Sequence, residues 1–152
     1  RMAQLGVTPS FFSAHTYYWG DRHAAIFMGP ERAANMSPAR WALDAGVRFS
    51  SHLDTPVTPM LPLQAVWSQV ERESTGGAVI GPAQRIGRMP ALRAVTIDAA
   101  WQVFMEDEIG SIEPGKRADL VVLSENPLTA EDIRGIKVDR TVIDGATVYS
   151  RL

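Results

Sequence analysis

Val47-Arg48-Phe49-Ser50-Ser51-His52-Leu53-Asp54-Thr55-Pro56-Val57-Thr58-Pro59 is the stretch on which the reading of this chain turns. Its first half, Val47 to His52, has the composition of a strand. Its second half is a rigid turn rich in proline. Upstream, Gly46 stops a helix expected over Pro38 to Ala45, with Ser37 as N-cap and Pro38 as first helical residue. Further upstream, Val7 to Ser13 is an apolar run opened by Pro9 and reads as a buried strand. It leads into a loop dense in aromatic and titratable groups, His15 to His23. Downstream, the apolar residues 63, 66, 67 and 70 predict a helix over Leu63 to Arg72. Ser74 to Arg88 reads as a Gly-rich loop. Met89 to Phe104 reads as one helix with Leu92, Val95 and Ala99 on a stripe. The order strand, helix, strand, helix, helix suits a parallel α/β architecture. Two such strands do not close a sheet by themselves.

The pattern changes after residue 108. Gly110 to Lys116 is turn chemistry, and Asp119 to Leu123 is a strand rich in β-branched residues. Thr141-Val142-Ile143 and Thr147-Val148-Tyr149 flank Asp144-Gly145, a strong hairpin signal. The chain divides on this reading into 1–108 and 109–152.

Composition narrows the function classes. The chain has 152 residues, 45% hydrophobic and 21% charged, with a net charge of −2. Neither a nucleic acid nor an acidic membrane surface is favoured by that charge. No apolar stretch approaches a membrane span, and a cytoplasmic location is expected. There is no cysteine, so disulfides and Cys-ligated metals are excluded and any metal must use His and carboxylate. The start, Arg1-Met2-Ala3-Gln4, carries no signal peptide. Met2, Leu5 and Gly6 fit the last turn of a helix with a glycine stop, which predicts that the chain is a fragment.

Asp54 is the leading candidate for chemistry. At the carboxyl end of a strand it lies where α/β folds gather reactive groups. A carboxylate there can bind a metal or take a proton from water; it can equally cap the turn through backbone N–H groups. His52, two residues earlier, shares a strand face with Asp54. If the two strands are neighbours, His15 opens at the same end. A strand-end histidine is also a common hydrogen-bonded structural residue. Tyr17, Tyr18 and Trp19 would line an apolar substrate pocket or pack under a long loop. Asp21, Arg22 and His23 fit a local salt-bridge and turn network. The glycines at 76, 77 and 81 are not a phosphate loop, since no Lys-Ser/Thr follows.

Three upstream stretches and one downstream carry a resemblance: Ser13 to Asp21, Gly29-Pro30-Glu31-Arg32, Leu53 to Val57, and Gly110-Ser111-Ile112-Glu113-Pro114-Gly115-Lys116-Arg117-Ala118-Asp119-Leu120-Val121-Val122-Leu123, with Thr96 to Ala100 before it. Together they resemble the amidohydrolase superfamily in its YtcJ-like branch, which includes N-substituted formamide deformylases. The resemblance covers essentially the whole chain. It implies the C-terminal part of a (β/α)8 TIM barrel, with Val7–Ser13 and Val47–Leu53 as the last two barrel strands. Residues 109–152 would then form part of a small β-sandwich. It implies a metal-dependent hydrolase in which zinc-activated water attacks a small-molecule amide or formamide. Asp54 would bind the metal and shuttle the proton. His15 would be a substrate-side residue. His52 stands where relatives often carry a small residue; it, Tyr18 and Trp19 are substrate-binding candidates on the reading of the residues themselves.

The superfamily's His-x-His is absent from this sequence, as are its other histidine ligands and its strand-four Lys or Glu. The expectation is therefore a chain that does not retain zinc, is inactive alone, and self-associates through open strand edges. The competing reading is a non-catalytic binding or structural module derived from the same fold.

Overall fold

The computed structural model describes residues 1–151. The first half is a parallel strand pair with helices around it. In chain order it runs α1 (Met2–Leu5), β1 (Ser10–Phe11), α2 (Ala14–Arg22), α3 (Pro30–Ala33), α4 (Ala39–Asp44), β2 (Ser50–Ser51), α5 (Pro62–Glu71), α6 (Arg88–Arg93) and α7 (Ile97–Gln102). A π-helical turn, His23–Phe27, extends α2. β1 and β2 pair in parallel, Ser10 opposite Ser50 and Phe11 opposite Ser51. Parallel neighbours need a crossover, and α2 to α4 provide it.

Both strands are shorter than expected. The Ser51 N–H donates not to a further strand but to Ala94 O, 2.9 Å away, at the end of α6. That bond also explains a correction. Met89 to Phe104 is not one helix but two, α6 and α7. A continuous helix would offer Ala94 O to the N–H four residues on; here the carbonyl serves β2. Thr96 Oγ1 donates back to Leu92 O at 2.8 Å, a local alternative to helix continuation.

A second correction concerns His15 to His23, expected as a loop and found as helix α2. Tertiary packing overrides the modest helix propensity of its aromatic residues. Ala14, Thr16 and Gly20 are buried, and a Cβ on Gly20 would lie 2.8 Å from Ile80 Cγ1. Tyr17 meets Trp67 edge to face at 5.4 Å. A third correction is local. Ser37 makes no cap bond to α4, which begins at Ala39 after Pro38; its hydroxyl donates instead to Phe12 O at 3.3 Å. Gly46 stops α4 as expected, at φ 65.

α5 is the centre of the molecule. Gln64 to Gln69 are all buried. Val66 and Trp67 join Ala39, Phe49, Ile86 and Ala91 in one core. The larger aliphatic and phenyl side chains among these, valine, isoleucine and phenylalanine, contribute roughly 1.5–3 kcal/mol each when fully buried. α5 ends at Arg72, left-handed at φ 53 and only 1% exposed. The loop that follows passes Gly81, φ 62, where a Cβ would sit 1.8 Å from Ala34 O. Only glycine fits there.

The second half contains β3 (Leu120–Leu123), β4 (Val138–Ile143) and β5 (Ala146–Ser150), an antiparallel sheet in that order. Asp144 at φ 50 and Gly145 at φ 79 make the two-residue turn of the expected hairpin. None of the strand residues of this sheet is buried. The link from β3 to β4 docks instead: Ala130, Ile133 and Ile136 enter the core beside Val66 and Trp67. Arg134 lies over the Trp67 ring at 3.9 Å. Arg88 Nη1 donates to Pro127 O at 3.2 Å and Ala130 O at 2.6 Å.

Candidate functional site

The C-terminal ends of β1 and β2 lie side by side, because the strands are parallel and in register. Their neighbours in sequence therefore converge. Phe12 follows β1, and its ring stacks on two imidazoles, on His15 at 4.5 Å and 28° and on His52 at 5.2 Å and 24°. His15 also meets Trp19 edge-on at 5.1 Å and His23 at 4.9 Å. Below this layer the chain ends of the strands are tied by hydroxyls. Ser13 and Ser51 Oγ are 2.6 Å apart, and Ser13 Oγ donates to Ala65 O at 3.2 Å.

Asp54 follows β2 after two intervening residues, His52 and Leu53. It is exposed, with a left-handed backbone at φ 55. The turn after it is closed by other groups. The Val57 N–H donates to Asp54 O at 2.7 Å, and Thr58 Oγ1 donates to Leu53 O. No described residue donates to the Asp54 carboxylate, so it does not cap its own turn. Its charge nevertheless acts on His15. Burial is the main effect there and pushes the imidazole below its ordinary 6.5; the positive charges of His23 and His52 push the same way, and Asp54 opposes them. His15 thus favours its neutral form, with a donor and an acceptor nitrogen. Beside Asp54 a cleft of about 400 Å³ is lined by His52, Asp54, Met60, Pro62 and Val95, among others.

The structure brings four sequence candidates to one end of the strand pair: His15, Trp19, His52 and Asp54. Tyr18 is turned aside, packed on the cluster of Ala14, Leu53 and Ala65. Tyr17 belongs to the main core. Asp21 pairs with neither Arg22 nor His23. It accepts from Ser74 Oγ at 2.8 Å and from the Gly76 N–H at 3.1 Å, tying α2 to the loop after α5.

Phe12 and His23 were missed as site neighbours. The signal for His23 was present: His15, Trp19, His23 and Phe27 recur every fourth residue, one face of a helix. Reading 15–23 as a loop hid it. Phe12 has no comparable sequence signal.

Among the described residues no three His, Cys, Asp or Glu are grouped so as to hold a metal ion. The expected zinc does not fit this donor set by itself.

A family model described as Amidohydrolase family matches residues 1–149. The N-substituted formamide deformylase of Arthrobacter pascens is 35% identical over 99% of this chain, which spans 28% of that relative's length. YtcJ of Bacillus subtilis, an amidohydrolase by name, is 25% identical over 97% of this chain and 28% of its own length. The crystal structure of an amidohydrolase from Thermotoga maritima superposes with a TM-score of 0.55 and 33% identity, covering 72% of this chain and 24% of that one. The chain thus spans about a quarter of the proteins it matches. With a family match running almost from end to end over a mixed α/β fold, this chain belongs to the amidohydrolase family.

Proposed function

We propose that the chain carries part of the active site of a hydrolase acting on a non-peptide carbon–nitrogen bond, an amide or a formamide. Asp54 is its proton-transferring residue. One observation carries the reading: at the end of β2 a left-handed backbone presents a carboxylate that no described residue uses. Aspartate tolerates that conformation better than most residues, but an unused group held there is a mark of function more than of packing. The kinship with an N-substituted formamide deformylase supports the bond class.

Water attacks the carbonyl carbon, a C–O bond forms, and its proton passes to Asp54. The C–N bond then breaks as that proton is delivered to the departing nitrogen. Neutral His15 and the neighbouring His52 hydrogen-bond the substrate, with Trp19 forming the apolar side of the site. Zinc, expected from the resemblance, would activate the water in the complete enzyme. Its remaining donors would come from outside the described residues. We further read β1 and β2 as the last two strands of a (β/α)8 barrel, residues 1–108 as barrel, and 109–152 as part of a β-sandwich; their parallel pairing across α2–α4 supports this.

Asp54→Asn in the complete enzyme tests the assignment. Hydrolysis of an N-substituted formamide should fall by about 10²–10⁴-fold, with an unchanged far-UV spectrum. Undiminished turnover would overturn it. The incomplete donor set favours a second reading, a binding module without chemistry. An intact native protein that binds such a formamide and never hydrolyses it would establish that reading instead.

A further inference from the structure

Arg72 is the most deeply buried cation among the described residues, and none of their carboxylates pairs with it. Its side chain spends its N–H groups on carbonyls alone. Nε donates to Ile80 O at 2.7 Å, Nη1 to Ser37 O at 3.3 Å, and Nη2 to Ala34 O at 3.4 Å and Met36 O at 2.8 Å. Burial pushes the guanidinium down to about 10, still charged at neutral pH. An unpaired buried charge is costly unless its hydrogen bonds are nearly all made. A residue whose only task was to end a helix could be a glycine or an asparagine.

The carbonyls show what the charge holds. Three of the four belong to the single turn Ala34 to Ser37. That turn is itself strained, with Ser37 at φ 43. The Ser37 hydroxyl then donates to Phe12 O, and the Phe12 ring is the one on which both His15 and His52 stack. The path is short and continuous: guanidinium to Ser37 carbonyl, Ser37 hydroxyl to Phe12 carbonyl, Phe12 ring to both imidazoles. The strand β1 has only one strand neighbour, and its pairing stops at Phe11. Without Ser37 the Phe12 backbone carbonyl would have no described partner beyond the His15 N–H at 3.1 Å.

We propose that Arg72 is a positioning residue for the imidazole pair of the candidate site, acting through Ser37 on Phe12. The kinetic part of this inference rests on the hydrolase reading above; the structural part does not. Ser37→Ala removes one link and leaves the carbonyl that Arg72 grips. In the full chain, the ring protons of His15 and His52 should leave the upfield positions that stacking on Phe12 imposes. Arg72→Lys and Arg72→Gln, read in whichever keeps the wild-type far-UV spectrum, should move the same resonances in the same direction. Combined with Ser37→Ala they should add little, as expected for two links of one path.

In the complete enzyme Ser37→Ala should lower kcat about tenfold with KM within about twofold, since orientation and not binding is lost. Unmoved histidine resonances in Ser37→Ala, or additive shifts in the double variant, overturn the proposal. A wild-type protein with no turnover but with the predicted resonance shifts would sink the hydrolase reading and leave the positioning path standing.

Discussion

The two sheets of this molecule stand in inverse relation to its core. β1 and β2 are two residues each, yet Phe49, Val66 and Trp67 pack around them and the candidate site opens at their ends. β3, β4 and β5 are longer and regularly paired, yet not one of their residues is buried. Strand length and pairing are set by local propensity and turn chemistry. Placement of a site is set by packing. The larger sheet is held to the body chiefly by the Ala130–Ile136 link, with Leu123 of β3 packed against the same core.

Substitutions in the two regions should therefore differ sharply. Gly81→Ala, in the body, drives a methyl group into the Ala34 carbonyl at a left-handed position. It should prevent native folding or cost about 4 kcal/mol or more, seen as loss of a cooperative melt. Trp67→Ala comes next. It removes a 4% exposed ring from the core and the surface under Arg134, for about 3–5 kcal/mol in denaturant titration. A loss below about 1 kcal/mol would show that the core is not centred on α5.

A pH titration sharpens the contrast within the site itself. His15 is held below its ordinary 6.5 chiefly by burial, then by His23. The folded state thus prefers the neutral ring. The stability this contributes is complete above about pH 6.5 and is lost as pH falls through the folded value. His15→Phe keeps the ring stack and should flatten the fall in stability below pH 6.5; an unchanged slope would show that His15 is not the group responsible. The smallest effect belongs to the outer sheet. Val148, 57% exposed on β5, should tolerate threonine within about 0.5 kcal/mol.

The outer hairpin was the most legible part of the sequence, since Asp144-Gly145 permits little else. The parallel pairing of the two inner segments was legible as an architecture, and with it the approach of His15, His52 and Asp54. Their lengths were not, because the outer edge of β2 is satisfied by Ala94 of a helix end that no local pattern reveals. The same bond hid the break between α6 and α7. Helix α2 was obscured for a different reason. Its aromatic run, Tyr17 to Trp19, favours no helix by propensity, and the burial that selects one, Gly20 against Ile80, is visible only in three dimensions. Arg72 lay at the end of a correctly read helix, but nothing in one dimension says that its charge points inward.

The docking of the β3–β4 link changes what a cut in the chain would mean. Arg117 stands in an exposed stretch just before β3. Trypsin acting there would sever the polypeptide while leaving Ile133 and Ile136 seated under α5 and the Arg88 clip on Pro127 and Ala130 closed. The nicked halves should migrate as one species under native conditions and part only in denaturant: a covalent break without a mechanical one.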